Sequence, residues 1–403
     1  MINFFLNYIF KVFRHGDRVI INPYPNDPYR NNSYWPAGWG QLTNLGKLQE
    51  YNLGKWLRKR YDNFLPSNYS EKDIFIRSTD VDRTLMSAEA NLAGLYPPQP
   101  AQTWDSKIPW QPIPVHTIPV KEDYLVAMQK SCPKYDALLD NLLKSKEFVE
   151  LNYKFRNVMN YVSRHSGAII DSFEKLEYIY NTLFIESINN FTLPNWTKTV
   201  FPDQLRPAAS LSFAIACYTR DLARLKTGPF FNELIQNINN VTDGLQKKEH
   251  YRKMWLYSGH DTTIANVLQS LNLFEYHNPP YSSTILFELR SKSPEGLFVN
   301  IYYKNSTQPQ AMTLNGCNFD CPIDKFINLL SPIALTHEEW KKECKWSFIS
   351  MIETADKDQV LVLSGVILIS LVIFVILMKI IYTKYNEKPE AVYLRLPDDD
   401  EQV

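Results

Sequence analysis

Three short apolar runs in this chain each end abruptly on polar, charged residues. Tyr8–Phe13 runs into Arg14-His15-Gly16-Asp17-Arg18, Ile74–Ile76 into Arg77-Ser78-Thr79, and Trp255–Tyr257 into Ser258-Gly259-His260-Asp261. Runs this short, rich in aromatic and β-branched residues, read as buried strands. Between them the apolar period lengthens. Thr43 is placed to cap a helix whose apolar face is Leu45, Leu48, Leu53, Trp56 and Leu57, with Arg58, Lys59 and Arg60 at its carboxyl end. Asp80 reads as the cap of a helix to about Tyr96, stopped by Pro97-Pro98. Residues 22–40 and 97–120 lack a period and are connections. From 134 to 250 only helical spacing appears, as in Leu138, Leu139, Leu142, Leu143 and again from Leu211 to Leu225. A strand at 252–257, a helix at 261–271 and strands near 283–290 and 297–303 follow. The pattern predicts an α/β fold: a mainly parallel sheet flanked by helices, with residues 1–133 and 251–345 forming its two parts and 134–250 an inserted helical cap.

A different pattern closes the chain. Val360 to Met378 is nineteen residues without a charge, the length of one membrane span. The expected transmembrane helix is 360–382, after a linker at 346–359 and before a tail at 383–403. Lys379 and Lys384 follow the apolar run, whereas Asp356, Lys357 and Asp358 precede it. The positive side therefore faces the cytosol, which makes this a single-pass type I membrane protein with residues 1–355 lumenal or extracellular. Tyr393-Leu394-Arg395-Leu396 resembles a tyrosine-based sorting signal, and Tyr393 would engage a sorting adaptor.

Composition narrows the partners. With 43 basic and 43 acidic residues the net charge is zero, so bulk charge offers nothing to nucleic acid. Asn31, Asn68, Asn190, Asn195, Asn240 and Asn305 open Asn-x-Ser/Thr sequons that become glycosylation sites if the chain enters the secretory pathway. Of five cysteines, Cys317 and Cys321 are close enough for a small loop, and Cys132 and Cys344 would close a long one stabilising by ~4 kcal/mol in the chain-entropy model. Spacing does not decide the pairing. Cys217 lies on the apolar stripe Leu211, Ala214, Ile215, Tyr218, Leu222 and reads as a buried free thiol. Only thirteen residues precede Arg14, and no small-residue cleavage site separates them from the first strand. Either the start is incompletely represented or another segment directs translocation.

The strand ends carry the chemistry. Chemistry in open α/β folds collects at the carboxyl edge of the sheet, and arginine forks match phosphate oxygens in pairs. A histidine between two such forks is placed to attack phosphorus. Taken with Arg77-Ser78-Thr79-Asp80-Val81-Asp82-Arg83-Thr84 and with Tyr34-Trp35-Pro36 through Gly38-Trp39-Gly40-Gln41-Leu42-Thr43, these residues resemble the histidine acid phosphatase family, near its lysosomal, prostatic and insect members. The resemblance runs over roughly residues 8–345. Ile20 departs from it, standing where the family usually has proline; this bears on the rigidity of the turn rather than on the chemistry.

The resemblance implies an acid phosphatase that hydrolyses phosphate monoesters through a phosphohistidine, with no metal or other cofactor. His15 would be the nucleophile and Asp261 the general acid, while Arg14, Arg18, Arg77 and His260 hold the phosphoryl group. Arg83, about one helical turn into the next element, is expected in a structural ion pair, and Asp17 in an ion pair within its own turn. Cys132–Cys344 and Cys317–Cys321 would be disulfides, a homodimer is implied, and the address would be lysosomal, endosomal or plasma membrane. A catalytically silent binding ectodomain is disfavoured by the intact motif residues. A phosphotransferase of the mutase type is disfavoured by the lumenal address.

Overall fold

The computed structural model describes residues 4–345 and 357–386, which belong to two units, Met1–Trp346 and Ser347–Val403. In the first, the order is β1 (Phe4–Arg14), α1 (Asn44–Arg60), β2 (Ile74–Ser78), α2 (Asp82–Leu95), α3 (Pro133–Lys144), α4 (Lys146–Ser166), α5 (Phe173–Ile188), α6 (Leu205–Ile215), α7 (Arg220–Lys247), β3 (Met254–Gly259), α8 (Asp261–Ser270), β4 (Thr284–Lys292), β5 (Gly296–Lys304), β6 (Gln310–Met312), β7 (Cys321–Pro322), α9 (Ile323–Leu330) and α10 (His337–Cys344). The strands form one sheet in the order β2-β3-β1-β4-β5-β6, with β7 also paired to β5.

The sheet is mixed, which corrects the expected mainly parallel arrangement. Only β2, β3 and β1 run parallel; β4 joins β1 antiparallel, and β5, β6 and β7 continue antiparallel. The three residues between β4 and β5 allow a hairpin but not the crossover that parallel pairing needs. The parallel trio nevertheless puts the carboxyl ends of β1, β2 and β3 on one edge, since Arg14 pairs with Gly259 and Ser78 with Ser258.

Strand alternation divides the core in two. Tyr8, Phe10 and Val12 of β1 and Tyr257 of β3 face a core completed by Phe230, Phe231 and Leu234 of α7 and Ile264 and Leu268 of α8. Phe10 stacks on Tyr257 at 4.8 Å and meets Phe230 edge-on at 5.2 Å. Each such buried aromatic contributes about 2–3 kcal/mol by area. Ile9, Phe13, Ile74, Ile76, Met254 and Leu256 face the other way, against Leu53 and Leu57 of α1 and Leu92 and Leu95 of α2. Leu45 and Leu48, expected on the apolar face of α1, are exposed; that face is instead Gly46, Glu50, Leu53, Gly54 and Leu57. Thr43 caps α1 as expected, its side chain accepting from the Gly46 N–H. Asp80 does not cap α2: the helix starts at Asp82 after Val81, and Asp82 supplies the first-turn negative charge.

Among the described residues, the segment 134–250 is helical and has no strand. Helices α4 to α6 share a core of their own with Tyr24, whereas α7 belongs to the sheet core. The helix expected over Leu211–Leu225 is two helices, because the chain turns after Ile215 and Thr219 caps α7. Disulfides join Cys132 to Cys344 and Cys317 to Cys321, and Cys217 is a buried free thiol. The first disulfide sits in a small core with Leu222, Leu225 and Trp340. Ile20 is buried with Val19, Trp35 and Ile185, so packing fixes the turn where a proline would have done so by ring closure. Of the sequon asparagines, Asn31, Asn68, Asn190, Asn195 and Asn240 are exposed and Asn305 is half-buried.

In the second unit one helix covers Lys357–Asn386, and its stretch Gly365–Thr383 is 19 residues with mean hydropathy 2.7, long and apolar enough to cross a membrane. Tyr393 lies outside the described residues.

Candidate active site

At the shared sheet edge, backbone hydrogen bonds carry the ladder past the strand ends. The His15 N–H donates to the Gly259 carbonyl at 3.0 Å, the Thr79 N–H to Ser258 at 3.1 Å, and the Ser282 N–H to the His15 carbonyl at 3.2 Å. The turn after β1 packs directly on α1. A Cβ at Gly16 would lie 2.3 Å from the Gly46 carbonyl oxygen, and one at Gly46 would lie 2.2 Å from that of Asp17, so both positions need glycine. Ser87 of α2 accepts from the Gly16 N–H at 3.1 Å. Asp17, expected to ion-pair within its turn, instead accepts from the Thr43 hydroxyl at 2.5 Å and is buried. It ties the turn to the start of α1.

His15 is almost wholly buried, and its Nδ1 lies 2.7 Å from the Gly16 carbonyl. That carbonyl can only accept, so Nδ1 carries the proton and Nε2 the lone pair. Burial first, then Arg14, Arg83, His260 and Arg18, hold its imidazole well below the usual histidine value. Its neutral form, with Nε2 unprotonated, is therefore favoured to lower pH than in an ordinary histidine.

Arg14 forms an ion pair with Asp261 at 2.8 Å, stacks 4.2 Å over the Tyr281 ring and donates to the Pro279 carbonyl. Burial alone would push Asp261 up, but Arg14 and Arg18, followed by His260, outweigh it and hold the carboxyl below its ordinary value. Thr79 Oγ1 lies 3.0 Å from Nε2 of His260, and Arg83 Nη2 lies 3.5 Å from its Nδ1. Burial and then Arg83 push His260 down to about 3. The rings of His15 and His260 lie 5.8 Å apart, nearly perpendicular.

Five of the six residues expected in the site are thus together: Arg14, His15, Arg18, His260 and Asp261. Arg77 is not with them. Its guanidinium forms an ion pair at 3.0 Å with Asp123, whose buried carboxylate also accepts from the N–H groups of Leu125, Val126 and Ala127. Ile74 and Ile76 face α1 and α2, so strand alternation turns Arg77 to the opposite face, beside Tyr257. The third arginine of the cluster is Arg83, from the first turn of α2. Among the described residues it has no ion-pair partner, and its buried Nε has no acceptor. Burial and Arg18 push it down to about 10, while Asp261 acts the other way. Its place was legible in principle: a helix that follows a strand after only three residues aims its first turn at the sheet edge, where its amino end also favours an anion.

Three guanidinium groups and two histidines face one carboxylate, Asp261. The arrangement suits a tetrahedral dianion, with the His15 imidazole and the Asp261 carboxyl beside it. Among the described residues no group of three or more histidine, cysteine or acidic side chains has metal-site geometry.

Residues 10–304 match the family model "Histidine phosphatase superfamily (branch 2)". The prostatic acid phosphatase of Bos taurus is 38% identical over 350 residues, covering 84% of this chain and 87% of the relative. The lysosomal acid phosphatase of Xenopus laevis is 35% identical over 405 residues, covering 98% and 90%. Among solved structures, a Hafnia alvei phytase in complex with tartrate shares the fold, with a TM-score of 0.62 at 16% identity over 85% of this chain and 99% of that one.

Proposed function

The chain belongs to branch 2 of the histidine phosphatase superfamily and is an acid phosphatase hydrolysing phosphate monoesters, and on that premise we propose that His15 is the nucleophile and Asp261 the general acid. Nε2 of His15 attacks phosphorus, and the P–O bond to the leaving alcohol breaks. Asp261 gives its proton to the departing oxygen. Water then attacks the phosphohistidine, the P–N bond breaks, and the Asp261 carboxylate takes the water proton, returning His15 neutral with free phosphate. Arg14, Arg18 and Arg83 hold the equatorial oxygens. His260, neutral in the free enzyme, becomes a further donor once the phosphate charge offsets the arginines. Arg77 braces Asp123 instead.

One observation carries this reading: the 2.7 Å contact of His15 Nδ1 with the Gly16 carbonyl, which leaves Nε2 unprotonated among the arginines. The acid working range follows from the same electrostatics. His15 is held neutral in acid, and Asp261, depressed by the arginines, gains its proton only as the pH falls. In the test, wild type quenched during turnover should carry phosphate on histidine and His15→Ala should carry none. Substantial turnover by His15→Ala would remove this residue from the mechanism.

The lysosomal relatives and the apolar C-terminal helix are compatible with a lysosomal membrane protein. The proposal extends to a type I topology with the catalytic unit lumenal, glycosylation at the exposed sequons, a homodimer, and a tail read by a sorting adaptor through Tyr393. Lys379 and Lys384 after the apolar run support the orientation. Release by alkaline carbonate would refute the span.

A further inference from the structure

Asp261 marks where the ester oxygen departs, so the leaving group must extend beyond Asp261 and Thr262. A cavity of about 130 Å³ lies there, its lining including Arg18, Glu177, Asn181, Phe213, Asp261 and Thr262. Glu177, Phe213 and Thr262 also line a second cavity of about 420 Å³, so the two adjoin across these residues. The one cation lining either is Arg18, which belongs to the phosphate cradle. Glu177 comes from α5, and Asn181, one helical turn on, donates to its Oε1 and holds the carboxyl at the junction. Phe213 of α6 supplies an apolar wall. The mechanism has no use for Glu177, because Asp261 already serves as acid and base.

We propose that Glu177 reads the charge of the leaving group, so that the enzyme prefers monoesters whose alcohol carries an ammonium, then neutral alcohols, over alcohols bearing a carboxylate or a second phosphate. The inference rests on the phosphatase reading of the site. A carboxylate at a partly desolvated wall attracts a cation and repels an anion far more strongly than it would in water, and no lysine, arginine or histidine lines the far cavity to reverse the sign. The charged and titratable groups around Glu177 are Asp261 on α8, Arg14 at the end of β1 and Arg18 in the turn after it, Glu174 on its own helix, the neighbouring Tyr178, and Asp171 in the far cavity, which is paired with Lys175. Burial, then Asp261, push its carboxyl up to about 8, with Arg18 and Arg14 acting against them. The discrimination therefore strengthens as the pH rises and Glu177 loses its proton.

The test uses the full chain in detergent and three matched substrates, 3-aminopropyl, 3-hydroxypropyl and 2-carboxyethyl phosphate, with p-nitrophenyl phosphate as reference. For wild type near pH 8, where about half of Glu177 is ionised, kcat/KM should fall in that order, with a total spread of about 100-fold. The ratio of first to last should grow between about pH 5 and pH 8. Glu177→Gln should shrink that ratio about tenfold and flatten its pH dependence, and Glu177→Lys should invert it. Ratios within one variant cancel any general loss of activity, and the wild-type pH series needs no variant. Equal kcat/KM across the three substrates in wild type, or an unchanged ratio in Glu177→Gln, would overturn the inference while the phosphatase reading stands. No turnover of p-nitrophenyl phosphate by wild type would overturn both.

Discussion

Arg77→Ala and Arg83→Ala should fail in opposite ways. Asp123 is fully buried and holds four donors: Arg77 at 3.0 Å, the N–H groups of Leu125 and Val126 at 2.9 Å each, and that of Ala127 at 3.1 Å. Breaking a buried ion pair costs about 3–5 kcal/mol. The three backbone donors survive the substitution, which sets the expected loss at the lower end, about 3 kcal/mol. With an unfolding entropy of about 2.1 cal/mol/K per residue over about 340 residues, the melting point should fall by about 4 °C. The folded Arg77→Ala enzyme should keep its kcat/KM within a few-fold. Arg83 is the reverse case: a buried guanidinium among like charges, unfavourable for folding and, in the proposed mechanism, a ligand of the phosphoryl group. Arg83→Ala should hold or raise the melting point while losing about 10²–10³ in kcat/KM. Scanning calorimetry and p-nitrophenyl phosphate turnover, measured well below either melting point, read both effects. A folded Arg77→Ala enzyme that loses a hundredfold in kcat/KM, or an Arg83→Ala enzyme of near wild-type activity, would refute the assignment.

Other expectations follow from the same geometry. Asp261→Asn should slow alkyl phosphates far more than p-nitrophenyl phosphate, because a general acid matters most for a poor leaving group; equal losses would make Asp261 a positioning group. Arg18→Gln removes one of the charges that depress Asp261, so the alkaline limb of its pH–kcat/KM profile should move to higher pH, and an unmoved limb would sever that coupling. Asp27 and Glu186 are both buried, and burial and then Asp27 push Glu186 up to about 9. The native state then holds a proton that the unfolded chain releases above about pH 4.5, so this pair makes stability fall as the pH rises from there toward about 9. Glu186→Gln should flatten that part of the melting-point profile, which calorimetry from acid to neutral pH will show.

Much of the architecture is local enough to be legible in the chain. The three strands that matter are short apolar runs ending on charged residues, and Thr43 caps its helix through a contact three residues away. The mixed sheet was less legible, because antiparallel pairing of β4 with β1 joins segments about 275 residues apart. The buried Asp17–Thr43 bond, the Arg14–Tyr281 stacking and the Glu177 wall likewise join distant stretches with no local signature.

By itself the sequence singled out His15, its flanking arginines, the histidine–aspartate pair and the uncharged run near the C-terminus. In each of these the chemistry lies within a few consecutive residues. Tertiary structure alone decided between Arg77 and Arg83. The two lie six residues apart in one motif and differ neither in charge nor in type. Strand alternation sends the first to Asp123, whose loop is about 45 residues further along the chain, and the start of α2 sends the second to His260. Which partner waits on each face is set by how the sheet packs against its helices, and that packing is a property of the whole fold.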